Sequence, residues 1–239
     1  MTTLQREANR IYGMTAKQTL DTAQSLYEKK LITYPRTDSQ YLTEDMEQTA
    51  RNVVRQIYEK YQLTGPFDQP EQPDVKKVMN NSKVTDHHAI IPTMELASCH
   101  LDELKSWEEK ILFLIAVHTV MAMSKDHIYQ ETEIEVECQG EIFKAKGRTV
   151  LQDGWKLFEN CFKNKDRMAI VDPDQEMKER MPKVTQGQTF YAVAAEKTEH
   201  FTSPPKPYSE DTLLAAMETA GNKEFDEDTE KKGLGTPAT

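Results

Sequence analysis

The sequence predicts an α+β chain in which a helical domain is followed by a β-rich segment and then by the start of a further helical domain. Three observations carry this prediction. Up to about residue 124 apolar residues recur at helical spacing, after Lys125 the period falls to two, and after Ser203-Pro204-Pro205 a helical pattern resumes. The pattern places the β-rich region from Lys125 to about Phe201, after an all-helical stretch and before a linker.

In the first stretch, Thr15-Ala16-Lys17-Gln18 forms a capping box in which the Thr15 hydroxyl accepts from the Gln18 N–H while the Gln18 amide reaches back. Leu20, Ala23, Leu26 and Tyr27 follow as its inner face, so a helix should run to about Lys30 and leave Tyr34 just past its end. A second helix is signalled after Thr43, with Glu44 and Asp45 suited to its first turn and Met46, Ala50, Val53, Val54, Ile57 and Tyr61 turned inward. From Gln62 to about Thr85 Gly65, Pro66, Pro70 and Pro73 break the periodicity, which reads as a long, mobile surface excursion. Ser106-Trp107-Glu108-Glu109 reads as a second capping box, opening a helix apolar nearly all round that should be the buried centre of the domain. His118 on that helix reads as a satisfied core residue.

The β-rich segment is signalled by Thr132, Ile134, Val136 and Cys138 alternating with charged residues, a turn at Gly140 and a return from Glu141 to Lys146. A further strand is expected at Thr189 to Glu196, a short helix at Tyr208 to Ala220, and an exposed charged tail from Asn222 to Lys232. No internal repeat is visible.

Composition limits the function classes. A hydrophobic share of 37% and a charged share of 29% suit a folded protein with a large polar surface. Cys99, Cys138 and Cys161 are odd in number and widely spaced, which excludes a disulfide framework and favours a reducing, cytoplasmic setting. The apolar run from Ile111 to Met123 is too short and too polar to span a membrane, and the N-terminus lacks a signal-peptide core. The net charge of −10 opposes tight binding to nucleic acid, whose affinity for proteins comes largely from Lys and Arg, although a local basic groove is compatible with it.

Three groups of residues could do chemistry. Tyr34 precedes Pro35, which pushes it toward extended backbone, so that Arg36, two residues on, should share its side. A phenol beside a guanidinium suits phosphoryl transfer, the one as nucleophile and the other as the cation that orients the phosphate. A free phenol is almost wholly protonated at neutral pH, so something must help to remove its proton. The bland alternative is a turn with an exposed Tyr and Arg. Asp86-His87-His88-Ala89-Ile90-Ile91-Pro92-Thr93 offers either metal ligands or one phosphate-facing imidazole, which a hydrogen bond to Asp38 would keep cationic; the plain alternative is a surface His pair before an apolar strand. Gly233-Leu234-Gly235-Thr236-Pro237-Ala238-Thr239 could present N–H and hydroxyl groups to a phosphate, or be a flexible end.

Taken in order, LQREA, TAKQTLDTAQSLYEKKLITYPRTDSQYL, DHHAIIPT, PPKPYSEDTLLAAMETAG and GLGTPAT resemble the type IA DNA topoisomerases, most closely the bacterial topoisomerase III branch, over almost the whole chain. The resemblance implies a 5′-phosphotyrosyl mechanism acting on single-stranded DNA, without ATP. In it Tyr34 would be the nucleophile, Arg36 the phosphate-orienting arginine, Asp38 and His87 an acid–histidine pair, and Thr37 and Thr239 DNA contacts. It further implies that residues 1–124 form a helical, winged-helix-like domain bearing the tyrosine, 125–202 part of a β-rich arch, and 203–239 the start of a fourth, helical domain. Mg²⁺ is expected in the full-length enzyme, bound by a domain preceding this region, with no metal or other cofactor held by this chain. The chain reads as an internal fragment, a cytoplasmic monomer with no membrane contact and no topoisomerase activity by itself.

Two competitors come from other classes. A DHH-type metal-dependent phosphoesterase shares Asp86-His87-His88-Ala89 but needs further aspartates that no D-x-D strand end supplies; zinc or manganese in the purified protein would favour it. A non-catalytic winged-helix nucleic-acid module would concentrate basic residues on one recognition helix, which the acidic balance disfavours.

Overall fold

In a computed structural model, residues 1–63, 73–158, 182–191, 194 and 196–220 are described. They fall into two units. The first comprises Met1–Asp126 with the described residues that follow Gly154 and Tyr208; the second comprises His127–Asp153 and the described residues up to Pro207. Helices and a two-stranded sheet together give the mixed α and β content expected.

In the first unit, α1 (Thr2–Tyr12) stops at Gly13, whose φ of +67° turns its N–H back onto the Ala8 and Asn9 carbonyls. Helix α2 (Ala16–Glu28) begins at the expected capping box: Thr15 Oγ1 accepts from the Gln18 N–H at 3.1 Å, and the Thr15 N–H donates to Gln18 Oε1 at 3.0 Å. It ends without a glycine. Lys30 takes a φ of +61°, its N–H donates to the Tyr27 carbonyl, and the Leu31 N–H donates to that of Leu26. This is a Schellman motif, with Leu26 and Leu31 both buried beside it, and it fixes the direction in which the chain leaves toward Tyr34.

The helix after Thr43 opens with a 3₁₀ turn at Glu44–Met46 and continues as α3 (Glu47–Tyr61), burying Ala50, Val53, Val54, Ile57 and Tyr61 as expected. Helix α4 (Ser106–Ala122) is the buried centre, with Ile111, Leu112, Leu114, Ile115, Ala116, Val117 and Val120 all in the core. Its start differs from the expected box by one residue. Ser106 is already helical, Lys105 is the cap, and Glu108 rather than Glu109 reaches back, its Oε2 accepting the Lys105 N–H at 3.0 Å. A lysine has no acceptor with which to return the bond, so only half a box forms. His118 is not a core residue: its side chain is 44% exposed, with Nε2 at 4.0 Å from Glu7. A histidine on the polar flank of a largely buried helix keeps contact with water and with a carboxylate.

The excursion after Gln62 is less of one than its prolines suggest. Gly65, Pro66 and Pro70 lie outside the described residues, but Val75 is fully buried, and Leu42 and Met79 form a parallel bridge in which the Leu42 N–H donates to the Val78 carbonyl and the Asn80 N–H to that of Leu42. Apolar side chains at Val75 and Val78 draw this segment onto the core despite its lack of regular period. Near Asp126 the chain closes on itself at Gly154, where a Cβ would lie 2.2 Å from the Asp126 carbonyl oxygen and φ is +53°, so only glycine fits. Helix α5 (Glu210–Glu218) forms as expected from its Ser209 cap and docks on α1 through Arg6–Asp211 at 2.9 Å and the Asn9 side chain, which accepts the Asp211 N–H.

The second unit holds the expected hairpin. Strand β1 (Ile128–Cys138) pairs antiparallel with β2 (Glu141–Gln152) across a two-residue turn, Gln139 at φ +52° and Gly140 at φ +88°. One face carries Glu131–Arg148, Glu133–Lys146 and Glu135–Lys144 pairs directly across the ladder. The strand expected at Thr189–Glu196 is not seen among the described residues of that range, whose Tyr191 is 86% exposed. Alternation shows that a segment suits a sheet, but a strand needs a paired edge, and no ladder reaches it among the described residues. The charged tail of 222–232 lies outside the described residues.

Candidate active site

The segment after α2 runs antiparallel to 87–93. The Thr33 N–H donates to the Ile91 carbonyl and the Thr93 N–H to that of Leu31, each at 3.0 Å, with Ile32 and Pro92 bridged between them. Threonine hydroxyls extend the pairing where backbone bonds stop. Thr33 Oγ1 accepts the Ile91 N–H at 3.0 Å and donates to the Ala89 carbonyl at 3.1 Å, and Thr37 Oγ1 donates to the His87 carbonyl at 2.8 Å. These bonds set Tyr34 opposite His87, with ring centroids 4.4 Å apart and planes inclined at 48°.

Along the tyrosine segment Pro35 and Thr37 are buried while Arg36 and Asp38 are exposed, the alternation of extended backbone. Tyr34 itself is half-buried. His87 is exposed, so phenol, guanidinium and imidazole stand where a polymeric substrate can reach them. Asp38 and His87 are joined by no hydrogen bond or ion pair among the described residues; the tyrosine segment meets His87 through the Tyr34 ring and through the Thr37 hydroxyl, which donates to the His87 carbonyl. The Thr37 hydroxyl is thus engaged inside the protein, also accepting the Ser39 N–H at 3.1 Å. His88 turns its Nδ1 onto the Ala89 carbonyl. Thr239 and the Gly233–Thr239 run lie outside the described residues.

A cavity of about 320 Å³ opens beside Asp38, lined by Leu4, Glu7, Ile91, Leu114 and His118 among others. Tyr34 is not part of its wall. Among the described residues no group of three or more His, Cys, Asp or Glu side chains is placed to hold a metal ion. The described side chains here do not by themselves fit Mg²⁺.

One neighbour of Tyr34 was misplaced by the periodicity. Tyr27 does not face the core: it is 39% exposed, and its ring stands edge-on to that of Tyr34 at 5.4 Å and 76°. Leu26 takes the inward position, and two adjacent helical residues 100° apart cannot both point to the centre of one face. That conflict is the signal the sequence contained.

A family model described as DNA topoisomerase matches residues 1–239. The chain belongs to the type IA DNA topoisomerase family. Among curated topoisomerase relatives, DNA topoisomerase 3 of Bacillus licheniformis is 36% identical over all of this chain and 33% of its own length, and DNA topoisomerase 3 of Vibrio cholerae is 36% identical over all of this chain and 36% of its own. The chain therefore spans about a third of the length of the topoisomerases it matches. A solved topoisomerase I from Thermotoga maritima is 28% identical, with a TM-score of 0.47 over 66% of this chain and 26% of that one. Membership of the topoisomerase family favours the tyrosine chemistry over the phosphoesterase and the non-catalytic module. Among the described residues no helix is long and apolar enough to cross a membrane.

Proposed function

We propose that this chain carries the nucleophile of an enzyme that changes DNA topology by cutting and rejoining single strands, and that the nucleophile is Tyr34. The observation that carries the reading is the placement of an accessible phenol against the His87 ring, with Arg36 on the outward face of the same extended segment. In the step proposed, the Tyr34 Oη attacks a backbone phosphorus; an Oη–P bond forms, the P–O3′ bond breaks, the phenol proton is lost and the 3′ oxygen is protonated as it leaves. The product is a 5′-phosphotyrosyl ester and a free 3′-hydroxyl. Reversal by the same hydroxyl rejoins the strand without ATP, because one phosphoester has been exchanged for another.

Arg36 orients the phosphate and spreads its developing charge through two parallel N–H donors. His87 offers an imidazole N–H to the same phosphate, and the part of Asp38 as the acid of an acid–histidine pair rests on family resemblance alone. Thr37 contributes by fixing the tyrosine segment to the His87 backbone. Thr239 is assigned a phosphate contact by family resemblance alone. The partner is single-stranded DNA, the compartment the cytoplasm and the working state a monomer. Mg²⁺, held by residues outside this chain, would supply further stabilisation of charge on the phosphate.

The test is denaturant-resistant adduct formation between the full-length protein and a labelled single-stranded oligonucleotide. Tyr34→Phe is expected to abolish the adduct and leave the melting temperature within about 2 °C of wild type, since one half-exposed hydroxyl is removed. Adducts at wild-type level in the Phe variant would overturn the assignment.

A further inference from the structure

We propose that Tyr27 is a positioning residue for the nucleophile: its ring, edge-on to that of Tyr34, holds the phenol in the direction that attack on a phosphate requires. The proposal rests on the reading of Tyr34 as the nucleophile. Tyr34 sits outside any helix, and its ring direction depends on rotation about χ1 and χ2, which backbone bonds do not control. Two ring contacts restrain it, to His87 at 4.4 Å and to Tyr27 at 5.4 Å. They differ in what stands behind them. His87 lies on an exposed loop, whereas Tyr27 lies in the last turn of α2.

That turn is fixed on both sides of Tyr27. Two residues before it, Ser25 Oγ donates to Glu108 Oε1 at 2.7 Å; two residues after it, Lys29 Nζ donates to Glu108 Oε2 at 2.6 Å. The Tyr27 carbonyl accepts the Lys30 N–H of the Schellman motif that starts the tyrosine segment. Tyr27 thus stands in a turn tied to the buried helix α4 by its neighbours' side chains and to the exit leading to Tyr34 by its own carbonyl. An aromatic ring that stays 39% exposed serves the core little, and an interplanar angle of 76° at 5.4 Å is the favoured edge-to-face arrangement of two rings. In-line attack is sensitive to small misdirection of the attacking oxygen, so a ring contact of this kind is read out in the rate of the chemical step rather than in DNA affinity.

The experiment measures single-turnover cleavage of a labelled oligonucleotide by the full-length protein, and separately DNA affinity in a Tyr34→Phe background where no cleavage intervenes. Tyr27→Leu is expected to slow cleavage about three- to tenfold with affinity unchanged, whereas Tyr27→Phe, which keeps the ring, stays within about twofold of wild type. Tyr27→Gln, suited to an exposed helical position, gives the same readout should the Leu variant fold poorly. Three results would overturn the positioning role. These are wild-type cleavage by both Leu and Gln variants, a loss of affinity in proportion to the loss of rate, which would make Tyr27 a stacking platform for a base, and a Phe variant as slow as Leu, which would make the hydroxyl the active group. Adducts that survive Tyr34→Phe alone would remove the nucleophile reading itself, and are scored without any Tyr27 variant.

Discussion

Arg36 follows the phenol along the chain, whereas His87 meets its ring from another segment. Arg36 follows Tyr34 on the same extended segment and is exposed, with its guanidinium in no ion pair among the described residues, so its fork is available to a phosphate. Arg36→Lys keeps the charge and loses the two parallel donors. We expect single-turnover cleavage to fall by about tenfold or more while the melting temperature is unchanged. Cleavage at the wild-type rate would show that charge alone suffices there. The two-residue spacing of Tyr34 and Arg36 was legible in the sequence because Pro35 enforces extended backbone. The meeting of Tyr34 with His87 was not derivable from spacing, since Thr33 and Thr37 create it by hydrogen bonds to Ala89, Ile91 and His87 across a long loop. The same bonds explain why Asp38 and His87 are not paired here: Thr37 engages the backbone of His87, and Asp38 follows on the opposite, outward side.

Between helices, Glu108 is the junction on which the site's support depends. Its carboxylate, 3% exposed, takes bonds from Ser25 and Lys29 of the α2 end and from the Lys105 N–H at the start of α4. Burial by itself would raise its pKa, but the donors from Lys29, Ser25 and Lys105 outweigh this and hold it at about 2, against an ordinary 4.5. A depressed carboxylate stabilises the fold fully above its unfolded value, and that contribution is lost as pH falls through the folded one. Glu108→Gln is therefore expected to cost about 2 kcal/mol at neutral pH, kept modest because Lys29 remains partly in water, and the gap from wild type should narrow below about pH 4. Urea unfolding of both proteins across this range checks it, and a gap independent of pH would remove the charge from the account. Which elements the sequence announced follows from the kind of signal involved. Thr15 with Gln18, and the alternation before Gly140, are local patterns that read correctly. The end of α2 was located only approximately, because Lys30 occupies the left-handed position that a glycine would have advertised. The start of α4 was displaced because Glu108 serves a tertiary contact as well as a cap.

At the scale of the molecule, charge and extent point the same way. The helices and the hairpin were legible from the change of period, while the return of α5 onto α1 through Arg6 and Asp211 was not, since an ion pair between distant segments leaves no periodic trace. The net charge is −10, and the cation that follows the phenol on its own segment is Arg36. Phosphoryl transfer depends on several preorganised positive groups around the phosphate, each typically worth several kcal/mol of transition-state stabilisation. The chain spans about a third of its curated relatives, whose remaining length offers room for such groups. We therefore expect the 239-residue chain by itself to fold, yet neither to relax nor to decatenate DNA. Its binding to a single-stranded oligonucleotide should be weak and should weaken further with salt, because the few phosphates it neutralises release their counterions less favourably as salt rises. The check is incubation of the purified chain with negatively supercoiled plasmid and Mg²⁺, together with an oligonucleotide titration at two salt concentrations. Relaxation that disappears in Tyr34→Phe would show that the groups on this chain suffice for the whole reaction, and tight binding insensitive to salt would show that its affinity comes from contacts other than phosphate neutralisation.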